Sequence, residues 1–150
     1  MNVPATSWTW GDIFALTQTL AIIVTLGITI FTVARNSKII KTSNTLLINQ
    51  HHREIWTATI ITNKLKRVYN MDVNIAKKPV TDEEFMFVNM VFLHMSACLK
   101  LMREKACFPI EGIERDIKDI MRYPIFQYVW SDVWKFHDRH FVEFVLRYGN

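Results

Sequence analysis

The chain has 150 residues, of which 50% are apolar and 21% charged, with only four glycines, four prolines and two cysteines. This length suits one compact domain, and so few glycines and prolines argue against a turn-rich all-β fold or a low-complexity chain. Two cysteines exclude a disulfide framework. The net charge of +4 is unevenly distributed, because all 18 Lys and Arg residues lie at or after Arg35 and Asp12 is the only charged residue before it.

The first long apolar segment covers residues 13–34 and carries no formal charge. About 20 apolar residues in a helix cross the ~30 Å hydrocarbon core of a bilayer, so this segment is predicted to be a transmembrane helix that follows a short extracytoplasmic N-terminus, residues 1–12. A cleaved signal peptide is disfavoured, because no positive region precedes the apolar run. Five residues suit the two membrane interfaces, aromatic before the span and basic after it: Trp8, Trp10, Arg35, Lys38 and Lys41.

The position of the basic residues also predicts the orientation of the span. Cytoplasmic flanks of membrane helices are enriched in Lys and Arg, and here these residues occur only after the span. The N-terminus is therefore expected outside the membrane and residues 35–150 in the cytoplasm. In that reducing compartment Cys98 and Cys107 are expected to be free, buried packing thiols.

The span carries a polar stripe. At about 100° per residue, five small or polar residues fall on one helix face: Gln18, Ala21, Thr25, Thr29 and Thr32. Small residues let two membrane helices approach closely, and Gln or Thr can hydrogen-bond across the contact. The alternative is that each threonine bonds to a carbonyl of its own helix. An unsatisfied amide in hydrocarbon is costly, so Gln18 favours contact with a partner helix or with other copies of the chain, which could also line a narrow pore.

Beyond the span, residues 35–45 are expected to form a basic juxtamembrane segment and residues 46–150 a cytoplasmic helical domain. The membrane helix can continue as a stalk to about Tyr69, because no Gly or Pro lies between Gly27 and Pro79. After a loop, three further helices are expected on the basis of helical apolar spacing: about 82–105, 109–122 and 124–148. No segment alternates as a strand does. The predicted class is all-α, with one transmembrane helix and a mostly antiparallel four-helix bundle.

Local signals mark where these helices begin. Thr81 and Glu84 have the spacing of a capping box. Pro109 and Pro124 suit the first position of a helix. The acidic residues of the short helix, among them Asp116 and Asp119, are expected to point outward.

The chemistry-bearing residues are few. His137 and His140 could share a helix face and bind a metal, but a lone pair of ligands is weak support, and a surface or packing role is favoured. His51, His52 and His94 could add ligands only if folding brings them together. The sequence contains neither a nucleophile motif nor a glycine-rich phosphate loop. The chain is therefore expected to be a non-enzyme without a cofactor.

Two features suggest partners. Aromatic residues are concentrated near the C-terminus, and Tyr128, Trp130 and Trp134 are candidates for an exposed docking surface. The basic residues are too sparse for a strong nucleic-acid signal and suit a headgroup-facing surface better. Binding of a small anionic ligand by a basic cluster such as Lys64, Lys66 and Arg67 stays an open possibility.

The layout resembles uncharacterised bacterial families with one N-terminal membrane helix and a small cytoplasmic helical domain. The features that carry the resemblance are the span, the basic junction from Arg35 to Lys41, and Tyr123-Pro124-Ile125-Phe126 followed by Trp130 and Trp134. The layout is also similar to small membrane effectors of antiphage systems, which oligomerise and perturb the membrane. The resemblance implies a bacterial inner-membrane protein. The polar stripe predicts that it self-associates, with its span forming or gating a membrane assembly and its cytoplasmic bundle sensing a partner or ligand. The alternative is an accessory subunit of a larger membrane complex.

Overall fold

The computed structural model describes residues 9–61 and 63–149, apart from the side chains of Ile60, Asn63 and Lys64. Trp8, predicted at a membrane interface, lies outside these residues. Within them every element is helical and no strand occurs: α1 Trp10–Ile61, a 3-10 helix Asn63–Tyr69, α2 Asp82–Arg103, α3 Ile113–Ile120, α4 Pro124–Val133, a 3-10 helix Trp134–Phe136, and α5 Arg139–Tyr148. The predicted all-α class is confirmed for this part of the chain.

The chain divides into two compact units, residues 1–40 and residues 41–150. In the first unit, α1 begins with a reciprocal cap. The Asp12 carboxylate accepts hydrogen bonds from the Thr9 amide (2.9 Å) and the Thr9 hydroxyl (2.7 Å), and Thr9 Oγ1 accepts from the Asp12 amide at 3.3 Å. This arrangement satisfies amides that a helix start leaves without an intrahelical partner.

Among the described residues, two helices are long and apolar enough to cross a membrane. The apolar window in Trp10–Thr59 has a mean hydropathy of 2.1 and is 0% buried, whereas that in Asp82–Arg103 has a mean hydropathy of 1.6 and is 33% buried. The first is therefore the N-terminal candidate span. The second, α2, lies in the core of the other unit.

The second unit, residues 41–150, is called the helical domain here. α2 is its central helix, with one side formed by the buried residues Phe87, Val88, Val91, Phe92 and Met95. It packs on α4 and on the first 3-10 helix, while α3 packs on α5. The fully enclosed Phe126 and Phe141 belong to α4 and α5, so the core joins helices that are distant in sequence.

Several predicted boundaries are wrong, and local backbone chemistry explains each. α3 begins at Ile113 rather than at Pro109, because its N-cap Gly112 has φ 89°, a left-handed conformation that a helix interior does not contain. The expected helix 124–148 is divided. His137 is extended with ψ 156°, and the Asp138 side chain caps α5 by accepting from the amides of His140 and Phe141. α1 ends at Ile61, and a 3-10 helix replaces the last part of the expected stalk.

Asn44 and Thr45 also have a role that their sequence context did not predict. Both lie in the predicted juxtamembrane segment, residues 35–45. In the structure Asn44 Nδ2 donates to the Ala106 carbonyl (2.8 Å), and Thr45 Oγ1 accepts from the Phe108 amide (3.1 Å). These bonds fix the loop after α2 against α1 within the helical domain.

Candidate functional site

A cleft of about 440 Å³ opens in the helical domain, and "the cleft" refers to this space below. It lies between the C-terminal part of α1, α2, and the segment 110–123. The apolar part of its lining includes Ile48, Ile55, Val91 and Met95, all of them buried. Sites for small molecules are concave, largely apolar and about 300–1,000 Å³ in volume, so the cleft has the dimensions of a ligand site.

Three aromatic residues, Trp56, Tyr69 and Tyr123, line one part of the cleft and form what we call the aromatic wall. The rings of Trp56 and Tyr69 stack at 5.9 Å between centroids with 18° between their planes, and Tyr123 meets Tyr69 edge-on at 5.5 Å. Trp56 is 48% exposed. Burial raises the pKa of Tyr69, so its phenol stays neutral at physiological pH.

Two histidines also line the cleft. The His52 and His94 rings are 5.9 Å apart, and His51 lies 6.4 Å from His94. Trp56 Nε1 donates to His52 Nε2 at 2.8 Å. Because an indole N–H can only donate, this nitrogen of His52 is the acceptor. Burial lowers the pKa of His94, so this ring is neutral at neutral pH.

The charged side chains of the cleft are acidic. Glu111, Asp116 and Asp119 line it, and no Lys or Arg is found among its lining residues in the described part of the domain. Asp116 and Asp119 were expected to point away from the domain into solvent. Asp119 is exposed, as expected, and Asp116 is half-buried, and both border the cleft. The carboxylates therefore dominate the charge of this lining.

Cys98 lies beside His94, with its Sγ 3.6 Å from His94 Nε2. A cysteine nucleophile reacts as the thiolate and needs a lowered pKa. Burial, with a smaller contribution from Cys107, raises the pKa of Cys98 to about 11, so the group is a thiol at neutral pH. Both cysteines are free and buried, which confirms the prediction of packing thiols.

Metal binding has no support in the described part of the chain. Folding does bring His51, His52 and His94 together, but no group of three His, Cys, Asp or Glu residues between residues 9 and 149, Thr62 excepted, is placed to hold an ion. The weak candidates His137 and His140 do not share one helix. His137 lies in the extended link before α5, in contact with the rings of Phe92, Trp130 and Phe141, whereas His140 is exposed.

The five stripe residues of the predicted span are all exposed, and their polar side chains differ in hydrogen bonding. Thr25, Thr29 and Thr32 donate their hydroxyl protons to carbonyls of their own helix, those of Ala21, Thr25 and Ile28, at 2.8 Å each. The intrahelical alternative for these threonines is therefore the arrangement observed. The exposed amide of Gln18 makes no hydrogen bond to any residue that the structure describes.

The predicted interface residues lie at the ends of the apolar segment. Trp10, Arg35 and Lys38 are exposed, whereas Lys41 is half-buried at the start of the helical domain.

Only some of the aromatic residues predicted to form a docking surface are exposed. Trp130 is a core residue and not a surface one, because it packs on Phe92 at 5.0 Å and on Phe141 at 5.8 Å between ring centroids. Tyr128 and Trp134 are about half exposed, and Phe136, not predicted for this role, is 79% exposed. The exposed aromatic surface therefore consists of Tyr128, Trp134 and Phe136.

In the basic cluster suggested for anion binding, Arg67 already has hydrogen-bond partners within the domain. Arg67 Nη1 donates to Glu84 Oε2 at 2.7 Å and to the Pro79 carbonyl at 3.2 Å, and its Nη2 donates to the Lys78 carbonyl. Its charge is therefore balanced within the domain.

Sequence reasoning missed the cleft as a site. Its residues come from α1, the first 3-10 helix, α2, α3 and the links on either side of α3, so no single motif contains them. One local signal was available: His52 and Trp56 are four residues apart and lie next to each other on a helix.

No protein-family model, curated protein or solved structure matches the chain.

Proposed function

We propose that the chain is a non-enzymatic, single-pass membrane protein that self-associates through residues 13–34. In this proposal the N-terminus lies outside a bacterial inner membrane. The helical domain, a mostly antiparallel bundle, lies in the cytoplasm as a sensing or docking domain. The observation that carries self-association is the amide of Gln18, exposed on a helix segment whose apolar window has no buried residues.

The argument is one of hydrogen bonding in hydrocarbon. Lipid offers no partner to an amide, and an unsatisfied polar group there costs several kcal/mol. A second helix with its own Gln18 at the same depth can supply both donor and acceptor. Ala21 lies on the same face and allows close approach. The threonine hydroxyl protons already have partners, so the proposal depends on Gln18 and on packing rather than on a threonine ladder.

The test is native mass spectrometry of the full chain released from mild detergent. Gln18→Leu/Thr25→Leu removes two of the four polar groups of the stripe, among them the amide on which the proposal depends. A matched control, Thr17→Leu/Thr19→Leu, also replaces two polar residues by leucine. Thr17 and Thr19 donate their hydroxyl protons to carbonyls of the same helix, at 2.9 and 2.8 Å, but lie off the stripe.

We expect oligomers from the unchanged chain and the control, and monomers from the stripe variant. A monomeric unchanged chain would contradict the proposal.

The exposed aromatic surface favours a second candidate, an accessory subunit of a larger membrane complex. Trp134 and Phe136 flank Lys135, whose Nζ lies 5.3 Å from the Phe136 ring centroid, in the short 3-10 helix before α5. Exposed aromatic residues are enriched at protein interfaces. Purification from native membranes separates the candidates, because unlike subunits would co-purify only in the second. Trp134→Ser/Phe136→Ser should then release those subunits.

A further inference from the structure

We propose that the cleft binds a small organic cation with an apolar body. This proposal deepens the sensing role suggested for the helical domain and rests on it, but it is independent of self-association, because every lining residue lies in residues 41–150.

The size and lining of the cleft favour an apolar body. Its volume of about 440 Å³ suits a small molecule. Ile48 and Val91 form part of the buried lining, and Trp56 and Tyr69 contribute stacked rings. Apolar surface removed from water supplies most of the binding free energy in such sites.

The charge of the cleft favours a cation over an anion. Asp116, Asp119 and Glu111 supply negative charge, and the lining contains no Lys or Arg in the described part of the domain. His52 cannot counter that charge in the arrangement seen, because its Nε2 accepts the Trp56 indole proton. A carboxylate or phosphate ligand would meet repulsion here. The small anionic ligand left open for the basic clusters therefore does not suit this site.

The aromatic wall favours a cation on separate grounds. The faces of Trp and Tyr rings attract an ammonium group through their quadrupole, most strongly when water is excluded. Trp56, Tyr69 and Tyr123 line the same cleft as the carboxylates. A hard metal ion gains little from such rings and requires several oxygen ligands, whereas an organic ammonium uses both the rings and the carboxylates.

The test is calorimetric titration of the full chain in detergent with three probes that share one ring: 2-phenylethylammonium, 2-phenylethanol and phenylacetate. We expect the cation to bind about tenfold tighter than the neutral alcohol, and phenylacetate to bind weakest. Asp116→Asn/Asp119→Asn should weaken binding of the cation about tenfold and leave that of the alcohol unchanged. Trp56→Leu should weaken both.

Glu114→Gln is the matched control, because Glu114 is an exposed carboxylate of the same helix that does not line the cleft. It should leave all three affinities unchanged. Circular dichroism melting shows whether each variant folds. For the unchanged chain, added salt should weaken binding of the cation and leave binding of the alcohol unchanged, since salt screens charge.

The results distinguish this proposal from self-association. Equal binding of the three probes, tightest binding of phenylacetate, no binding of 2-phenylethylammonium at millimolar concentration, or no effect of the Asp116 and Asp119 changes would each overturn the cation site. Native mass spectrometry of the same samples reports the oligomer separately. A monomer that binds the cation would reject only self-association, and an oligomer that does not bind it would reject only the cation site.

Discussion

Glu84 is the residue that most clearly joins a local structure to a distant one. One oxygen, Oε2, accepts from the Thr81 amide at 2.9 Å and from Arg67 Nη1 at 2.7 Å, and the residue is 3% exposed. The first bond belongs to the capping box of α2, and the second ties α2 to the 3-10 helix before it. Loss of the carboxylate would leave the half-buried Arg67 guanidinium without its counter-charge.

We therefore expect Glu84→Ala to lower the free energy of unfolding by about 3 kcal/mol, since breaking a buried ion pair from one side leaves an uncompensated charge. The matched control is Glu143→Ala, which breaks the exposed pair of Arg139 with Glu143, also at 2.7 Å. This change should cost at most about 0.5 kcal/mol. Urea denaturation of both variants in one detergent measures the difference. Equal losses would contradict the assignment of the stability to burial.

The same residue shows what sequence can and cannot predict. The capping box is confirmed, because Thr81 and Glu84 are three residues apart and helix geometry alone makes them meet. The partner Arg67 lies 17 residues away, and its position depends on how two elements pack. The cleft also depends on how separate elements pack. His52 and Trp56 are local neighbours, but His94 and Asp116 reach them only through the tertiary fold.

Helix ends were the weakest part of the prediction at the scale of elements, and α2 shows why. Lys105 adopts φ 55°. The Ala106 amide bonds to the Leu101 carbonyl at 2.9 Å, and the Lys105 amide to the Met102 carbonyl at 3.0 Å. This is the left-handed ending usually made by glycine. Because a lysine occupies the position, the sequence offered no signal for it, although the helix itself was predicted from its apolar spacing.

The break between α4 and α5 is a second case, and it depends on one side chain. Asp138 Oδ1 accepts from the His140 amide at 3.0 Å and from the Phe141 amide at 3.1 Å. An aspartate inside a helical pattern can thus end one helix and begin another, because its carboxylate competes with backbone acceptors. The break also takes His137 away from the helix of His140, which removes the shared face on which the metal hypothesis depended.

We expect Asp138→Ala to lower the free energy of unfolding by about 1 kcal/mol, the usual cost of losing an N-cap. Asp138→Asn should retain most of that free energy. Asp132→Ala, at an exposed carboxylate within α4, should have little effect. Hydrogen exchange supplies a local readout, because the His140 and Phe141 amides should exchange faster only in Asp138→Ala. Unchanged exchange at both amides would show that the cap does not hold the start of α5.

At the scale of the whole molecule, two helices pass the same test of length and apolar content, and burial distinguishes them. The apolar window of α1 is 0% buried, whereas that of α2 is 33% buried and includes the fully enclosed Val88 and Phe92. Soluble proteins rarely expose an apolar surface as large as that of α1, so a bilayer is the natural cover for it. The sequence already marks this candidate span because its signal is local, a charge-free run.

This difference predicts where a new charge matters. Ile23 is 59% exposed in the span and Leu93 is 55% exposed on α2, so Ile23→Arg and Leu93→Arg place the same group on surfaces of similar exposure. An arginine near the middle of a membrane helix costs about 3 kcal/mol of insertion free energy, whereas one on a water-facing helix costs little. We therefore expect Ile23→Arg to reduce the fraction of protein that resists alkaline carbonate extraction from membranes, and Leu93→Arg to leave it unchanged. Release of Leu93→Arg instead would mean that α2 contacts the hydrocarbon, and retention of both variants would mean that residues 13–34 are not the membrane span.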